Sequence, residues 1–277
     1  MTNTTESKDG RYTVLIMAAN RHGINNRVAR MAGTTHKCVV PIAGVAMIER
    51  VLNTVKAWGR AKHILISLED PAVLDAVPNV AAMRDSGQIV VTQAGQTLTQ
   101  SVLTAVEQLG EEDFPLLITT GDNVLHTPQI IESFCQGVEA AGADVGFALT
   151  PYEVVAATYP EDAPNVGYIK FAEGQHSNCN IYILASRRVL PIVRTMRDGG
   201  QFRHHPMRIV RAFGLISMIK YKLGIARIKD VKKRLERLFG VSIAPVLLPY
   251  AEAPIDVDTA TTFALAERIL TTREKAA

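Results

Sequence analysis

Cysteine is scarce in this chain. Cys38, Cys135 and Cys179 are odd in number and far apart, which argues against a disulfide framework and fits a reducing cytoplasm. No apolar run is long enough to cross a bilayer. Aromatic residues make up 6% of the chain, with a single Trp, too few for the stacking platforms that grip single-stranded nucleic acid. His204 and His205 have no cysteine or carboxylate cluster beside them, so a zinc site is disfavoured. No Ser/His/Asp pattern points to acyl chemistry. The first ten residues are polar and mixed in charge, lack the basic-then-apolar order of a signal peptide, and read as a frayed tail. Internal repeats and low-complexity segments are missing.

What is present is a chain of 277 residues, 47% hydrophobic and 21% charged, enough for one large α/β domain over residues 11–277. Apolar runs at residues 14–18, 63–67, 89–92, 115–120 and 145–149 alternate with helical patterns at 47–58, 101–109 and 128–141. Later strands are expected at 168–171, 179–184 and 246–250, and helices at 187–197 and 259–270. The alternation predicts a three-layer α/β/α sandwich around a mostly parallel sheet. Ligands of such sheets sit at the carboxyl ends of the strands. The loop after Ala18, the Gly95 loop and the Gly121–Asp122 corner should share that edge. Expected helix caps are Thr99 or Gln100, Thr127 ahead of Pro128, and Thr259.

The net charge of +3 hides an asymmetry. Residues 187–237 carry fifteen Lys or Arg against Asp198, Asp230 and Glu236. A basic segment on an acidic body suggests an anionic partner. Its core, about residues 196–240, reads as one or two basic, apolar helices broken near Gly224. A lid, a homodimer surface and a peripheral membrane contact all stay open for it.

Residues 13–41 hold the first constellation. A strand runs into Ala18, Ala19 and Asn20, where small residues let backbone N–H groups approach a phosphate. Arg30 and Lys37 follow as two cations beyond the loop. Asn20 is a residue that tolerates a left-handed backbone. Gly95 and Ser101 place a loop backbone and a helix-start hydroxyl where they can read the polar edge of a base, or where they form a plain helix cap. Asp122, after Gly121, ends a buried strand and is either a ligand or another cap. Asp258 precedes the cap of the last helix, with Asp256 two residues earlier.

Together these segments resemble the GT-A-type nucleotidyltransferases, the MobA-like and cytidylyl families with Rossmann-like sheets. The match runs through IMAAN, RM, HKCVVP and GVAM, then the Gly95/Ser101 spacing, GDN and DVDTATTF. The resemblance implies a Mg²⁺-dependent transfer of a nucleoside monophosphate, CMP from CTP favoured, to a phosphorylated small-molecule or lipid-headgroup acceptor. It assigns the catalytic cations to Arg30 and Lys37. Nucleotide contacts fall to Ala18, Ala19, Asn20, Gly95, Ser101 and Gly121, and the metal to Asp122 and Asp258. The acceptor would meet Tyr168, Lys170, Asn178, Asn180 and Arg208, with Asn180 standing where the family pattern has glycine. Nucleic acid is not an expected partner. A glycosyltransferase of the same fold, and a nucleotide-binding regulator without turnover, remain the alternatives. The first lacks its usual Asp-x-Asp, because the sequence reads Gly121-Asp122-Asn123.

Overall fold

The computed structural model describes residues 11–20, 26–199 and 223–276. Its strands are β1 (Tyr12–Met17), β2 (Pro41–Ile42), β3 (Val45–Ala46), β4 (Ala61–Leu68), β5 (Val90–Gln93), β6 (Leu116–Thr120), β7 (Val145–Pro151), β8 (Ile169–Phe171), β9 (Gly174–Leu184) and β10 (Ile243–Leu247). Its helices are α1 (Arg27–Met31), α2 (Met47–Trp58), α3 (Pro78–Asp85), α4 (Leu98–Glu107), α5 (Pro128–Ala140), α6 (Tyr152–Thr158), α7 (Leu190–Gly199), α8 (Ile228–Phe239) and α9 (Ala260–Ala276).

Eight strands form one sheet in the order β10-β7-β9-β6-β1-β4-β5, with β8 on the outer part of β9. β1 pairs in parallel with β4 and β6, β4 with β5, and β10 with β7. β9 lies antiparallel to β6, β7 and β8. Every strand of this sheet except β9 therefore points one way, which is the mostly parallel α/β sheet expected. Because β9 is reversed, its first residues lie at the edge where β1, β4, β5, β6 and β7 end.

The apolar pattern explains the layers. Successive strand side chains alternate between faces. Val14 and Ile16 pack on one side with Val51, Leu52 and Val55 of α2 and Ile131 and Phe134 of α5. Leu15 packs on the other side with Val102, Ala105 and Val106 of α4 and Leu190 of α7. A third cluster joins Val28 and Ala29 of α1, Val124 and Leu125 after β6, and Leu265 and Ile269 of α9. This third cluster ties α1 and α9 to the loop that leaves the carboxyl end of β6.

Caps follow the chemistry of the sequence, with one shift. Thr127 accepts from the Ile130 N–H, and Thr259 from the Thr262 N–H, as expected. Helix α4 starts earlier than Thr99 or Gln100 allows: Thr97 is its N-cap, in a reciprocal capping box with Gln100. The last strand is Ile243–Leu247 and not 246–250, because β7 fixes its register from Val145 to Leu149. The sequence reading passes over α1, α3, α6 and the β2–β3 hairpin. Helix α3 buries only Val80, so its apolar periodicity is faint.

Candidate active site

The carboxyl ends of β1 and β6 are fastened side by side. The Gly121 N–H donates to Met17 O (2.9 Å), and the Ala18 N–H donates to Ser67 O (3.0 Å) on β4. A Cβ built on Gly121 would meet Ala18 Cβ at 3.4 Å, so Ala18 and Gly121 form adjoining walls of one cleft. The Asn20 N–H donates to Glu69 Oε1 (2.6 Å), and its Nδ2 to Thr35 O (3.0 Å). Asn20 is thus a strut across the loop. Among the described residues, left-handed backbone outside glycine occurs at Ala43 and Asn180, not at Asn20.

At this edge three sequence-distant residues converge. Lys37, opening a short 3-10 turn before β2, places its Nζ against Asp122 Oδ2 and within 2.5 Å of Asp258 Oδ1. Thr120 Oγ donates to the other oxygen of Asp122. Burial works against the Lys37 charge, but the two carboxylates outweigh it and hold the ammonium above its ordinary pKa. Asp256 joins the group. Ile255 and Val257 are buried, so the alternation of an extended segment turns Asp256 and Asp258 to the opposite side. Asp256 Oδ2 accepts from Asn180 Nδ2 (2.8 Å). Its carboxyl is raised to about 7, first by burial and then by the charges of Asp122 and Asp258; Lys37 and Asn180 pull in the other direction.

An acid with a raised folded pKa binds more protons folded than unfolded, so stability falls as pH rises between the two values. In chelated buffer, Asp256→Asn should therefore raise the melting temperature over wild type increasingly from about pH 4 to about pH 7, then level off. A pH-independent difference in a thermal-denaturation series would remove this account of Asp256.

β9 supplies the next layer. Asn180 adopts φ +52°, a left-handed backbone that asparagine tolerates. Its N–H donates to Asn178 Oδ1 (3.2 Å), while Asn178 Nδ2 donates to Asn180 Oδ1 (3.0 Å) and to the Tyr182 hydroxyl (2.5 Å). Buried Asn123 bridges β6 and β9 through Thr119 Oγ and the Asn180 carbonyl. Asn178, Asn180, Asp256 and the Lys37 group thus form one connected polar surface.

Other expected residues lie apart from it. The Gly95 N–H donates to Ser101 Oγ (2.9 Å), and that hydroxyl also faces the Thr97 carbonyl at 3.2 Å. Ser101 is 2% exposed and its hydroxyl is engaged by Gly95 and Thr97, so it anchors the loop from beneath and is not placed to read a base as expected. A Cβ on Gly95 would fall 2.5 Å from Gln100 Cβ, so only glycine closes this turn without displacement. Arg30 is exposed on α1, and no side-chain hydrogen bond or ion pair engages it among the described residues. Tyr168 packs edge-on against Tyr152 at 5.2 Å, and its buried hydroxyl has no hydrogen-bond partner; burial pushes that phenol up to about 12. Lys170 is exposed on β8. Neither reaches the carboxylates through a hydrogen bond. Ala19 is half-buried in the β1 loop. Arg208 lies outside the described residues, as do residues 200–222 of the basic segment.

Sequence reasoning passed over Thr120, Asn123 and Glu69, and gave Asp256 only a marginal place. For Asp256 the signal was there in the apolar–acid alternation of Ile255 to Asp258. The partners of Asn123 and Glu69 depend on strand order, whereas Thr120 meets Asp122 only two residues on.

The donor set suits a hard divalent cation. Two carboxylates that meet at a single ammonium can also meet at a metal, and all their donors are oxygens. No group of three or more His, Cys, Asp or Glu among the described residues is placed to hold an ion unaided. Mg²⁺ characteristically takes one or two carboxylates and completes its shell with waters and substrate phosphates.

A family model, the MobA-like NTP transferase domain, matches residues 15–212. The chain belongs to this family. That stretch contains Arg30, Lys37, the Gly95 loop, Asp122 and β9. Comparison with curated proteins gives no match. Among solved structures, a hypothetical transferase from Thermus thermophilus is similar at a TM-score of 0.72 and 23% identity, over 91% of this chain and 99% of that one. A CMP:2-keto-3-deoxy-manno-octonic acid synthetase complexed with CTP gives 0.59 and 14%, over 95% and 99%. The 4-diphosphocytidyl-2C-methyl-D-erythritol synthase of Anaerococcus prevotii gives 0.58 and 10%, over 95% and 100%. At these identities the likeness is one of fold, the Rossmann-like sheet of nucleotidyltransferases.

Proposed function

We propose that this MobA-like NTP transferase moves a nucleoside monophosphate, CMP favoured, from a nucleoside triphosphate to a phosphorylated small molecule or lipid headgroup. The convergence of Lys37, Asp122 and Asp258 at the strand edge carries this reading. An acceptor phosphate oxygen attacks the α-phosphorus, the bond from that phosphorus to the bridging oxygen breaks, and pyrophosphate leaves. Such a transfer asks the protein for positioning and charge neutralisation more than for covalent chemistry.

Asp122 and Asp258 would hold Mg²⁺, which when bound neutralises charge on the α-phosphate. Lys37, freed from the carboxylates as phosphates approach, stabilises charge growing on the transferred and leaving groups. Unpaired Arg30 is available to the outer phosphates. Ala19 offers its backbone to the phosphate path, and Ala18, Asn20 and Gly121, whose N–H groups donate to Ser67, Glu69 and Met17, shape the edge around it. The Gly95 loop, anchored by Ser101, reads the base. On the β9 side, Asn178 and Asn180 receive the acceptor, with Tyr168, Lys170 and Arg208 as further contacts. Support for cytosine comes from two structural neighbours named for CMP and cytidyl products.

Incubation with Mg²⁺, each of the four nucleoside triphosphates and a panel of phosphorylated sugars, polyols and lipid headgroups should release pyrophosphate with CTP above the others. Thermal shift should rank CTP first. A clear preference for GTP would overturn the cytidylyl assignment. Nucleotide-sugar consumption without pyrophosphate release would favour a glycosyltransferase.

A further inference from the structure

The segment from Leu223 to Phe239 is built unlike the helices that cover the sheet. Ile228, Val231, Leu235, Leu238 and Phe239 recur at helical spacing and form one apolar stripe on α8. Helices α2 and α5 sink their stripes completely, with Val51, Leu52, Ile131 and Phe134 all buried. No residue of α8 is fully buried; Ile228, Val231, Leu235 and Phe239 are half-buried and Leu238 is exposed. Leu238 is 43% exposed, and just ahead of the helix Leu223 and Ile225 are 65% and 54% exposed.

The charge of the segment is one-sided. Within the segment, Arg227, Lys229, Lys232, Lys233, Arg234 and Arg237 stand against Asp230 and Glu236, and from the β8–β9 turn Glu173 accepts from the Ile228 N–H (3.3 Å). Glu236 is already engaged, accepting from the Ile243 N–H (3.0 Å) and pairing with Lys232 (3.6 Å). The segment also has a fixed place against β8. The Ala172 N–H donates to Ala226 O (2.9 Å), and a Cβ on Gly224 would lie 3.0 Å from Lys170 Cδ. Leu223 and Ile225 therefore border β8, the strand bearing Lys170, where it pairs with the first residues of β9.

We infer that residues 223–239 dock on an anionic lipid surface. The basic side chains meet headgroup phosphates, and Leu223, Ile225 and Leu238 enter the boundary with the acyl chains. A basic amphipathic helix in which charged residues outnumber apolar ones lies in the plane of such an interface and does not cross it. No helix among the described residues is long and apolar enough to span a membrane. The negative surface potential complements the six cations. This goes beyond the proposed reaction and does not depend on it.

The test is flotation of the full chain with vesicles of equal parts phosphatidylglycerol and phosphatidylcholine, against phosphatidylcholine alone. The protein should float with the anionic vesicles only, and less as salt rises. Each basic residue near the surface contributes about fivefold, so Lys232→Glu/Lys233→Glu should lower partitioning by about 25-fold or more. Leu238→Glu should weaken it while leaving the circular-dichroism melt unchanged, which shows that the variant folds. The proposal is overturned if wild type stays unbound on anionic vesicles, floats equally with neutral ones, or loses nothing in either variant. It is also overturned if the wild type is a dimer that Leu238→Glu dissociates, since a second copy then covers the face. Duplex DNA binding that needs Lys232 and Lys233 but not Leu238, and that outcompetes vesicles, would assign the segment to nucleic acid instead.

Discussion

Asp122→Ala should abolish pyrophosphate release while the protein stays folded. Asp122 stands at a corner after β6, outside the apolar clusters, and its side chain is 19% exposed. Its contacts are Thr120 and Lys37, so truncation leaves the core of the sheet untouched. What disappears is one of the two carboxylates available to Mg²⁺. Losing several kcal/mol of charge stabilisation slows a reaction by roughly a thousandfold or more. Lys37 keeps Asp258 as a partner, so the melting curve should stay close to wild type. A steady-state pyrophosphate assay, run beside circular-dichroism melts, makes the comparison. Activity within about tenfold of wild type would end the assignment of Asp122 to the metal.

The second large effect is expected at Lys37. Its ammonium is the one cation in contact with the converging carboxylates among the described residues. Lys37→Ala should lower the turnover rate by about a hundredfold or more, the scale seen when a positioned donor to a developing oxyanion is lost. The variant also leaves Asp122 and Asp258 facing each other without a counter-charge, so it should melt below wild type at neutral pH. The wild-type ammonium is held above its ordinary pKa. Lysine's own titration therefore leaves its contribution intact through neutral pH, and it would be lost only in strong alkali. Kinetics near wild type would remove Lys37 from the site.

Legibility in the sequence followed the range of the interactions. Thr127 before Pro128, and Thr259 before the last helix, are local chemistry, and both cap as their residue types dictate. The buried β1, β4 and β6 announce themselves as short apolar runs. The reversal of β9 is invisible along the chain, because strand direction is set by Ile118 meeting Tyr182 and Phe147 meeting the same residue from the other side. Asn123 could not be recognised as the brace between β6 and β9 without that order. The Lys37, Asp122 and Asp258 grouping was legible through family resemblance, whereas the reach of Asp256 into the same group required the Asn180 side chain.

The Lys37 bridge has a consequence for how the protein is made. Asp122 follows Lys37 by 85 residues, and Asp258 follows it by 221. When β6 leaves the ribosome, the four parallel strands β5, β4, β1 and β6 are complete, yet Lys37 has met only the first of its carboxylates. The second arrives after β9 and β10 have been synthesised. Nascent and prematurely terminated chains can therefore carry the strand-edge loop and still lack the pair that would grip a metal-bound triphosphate.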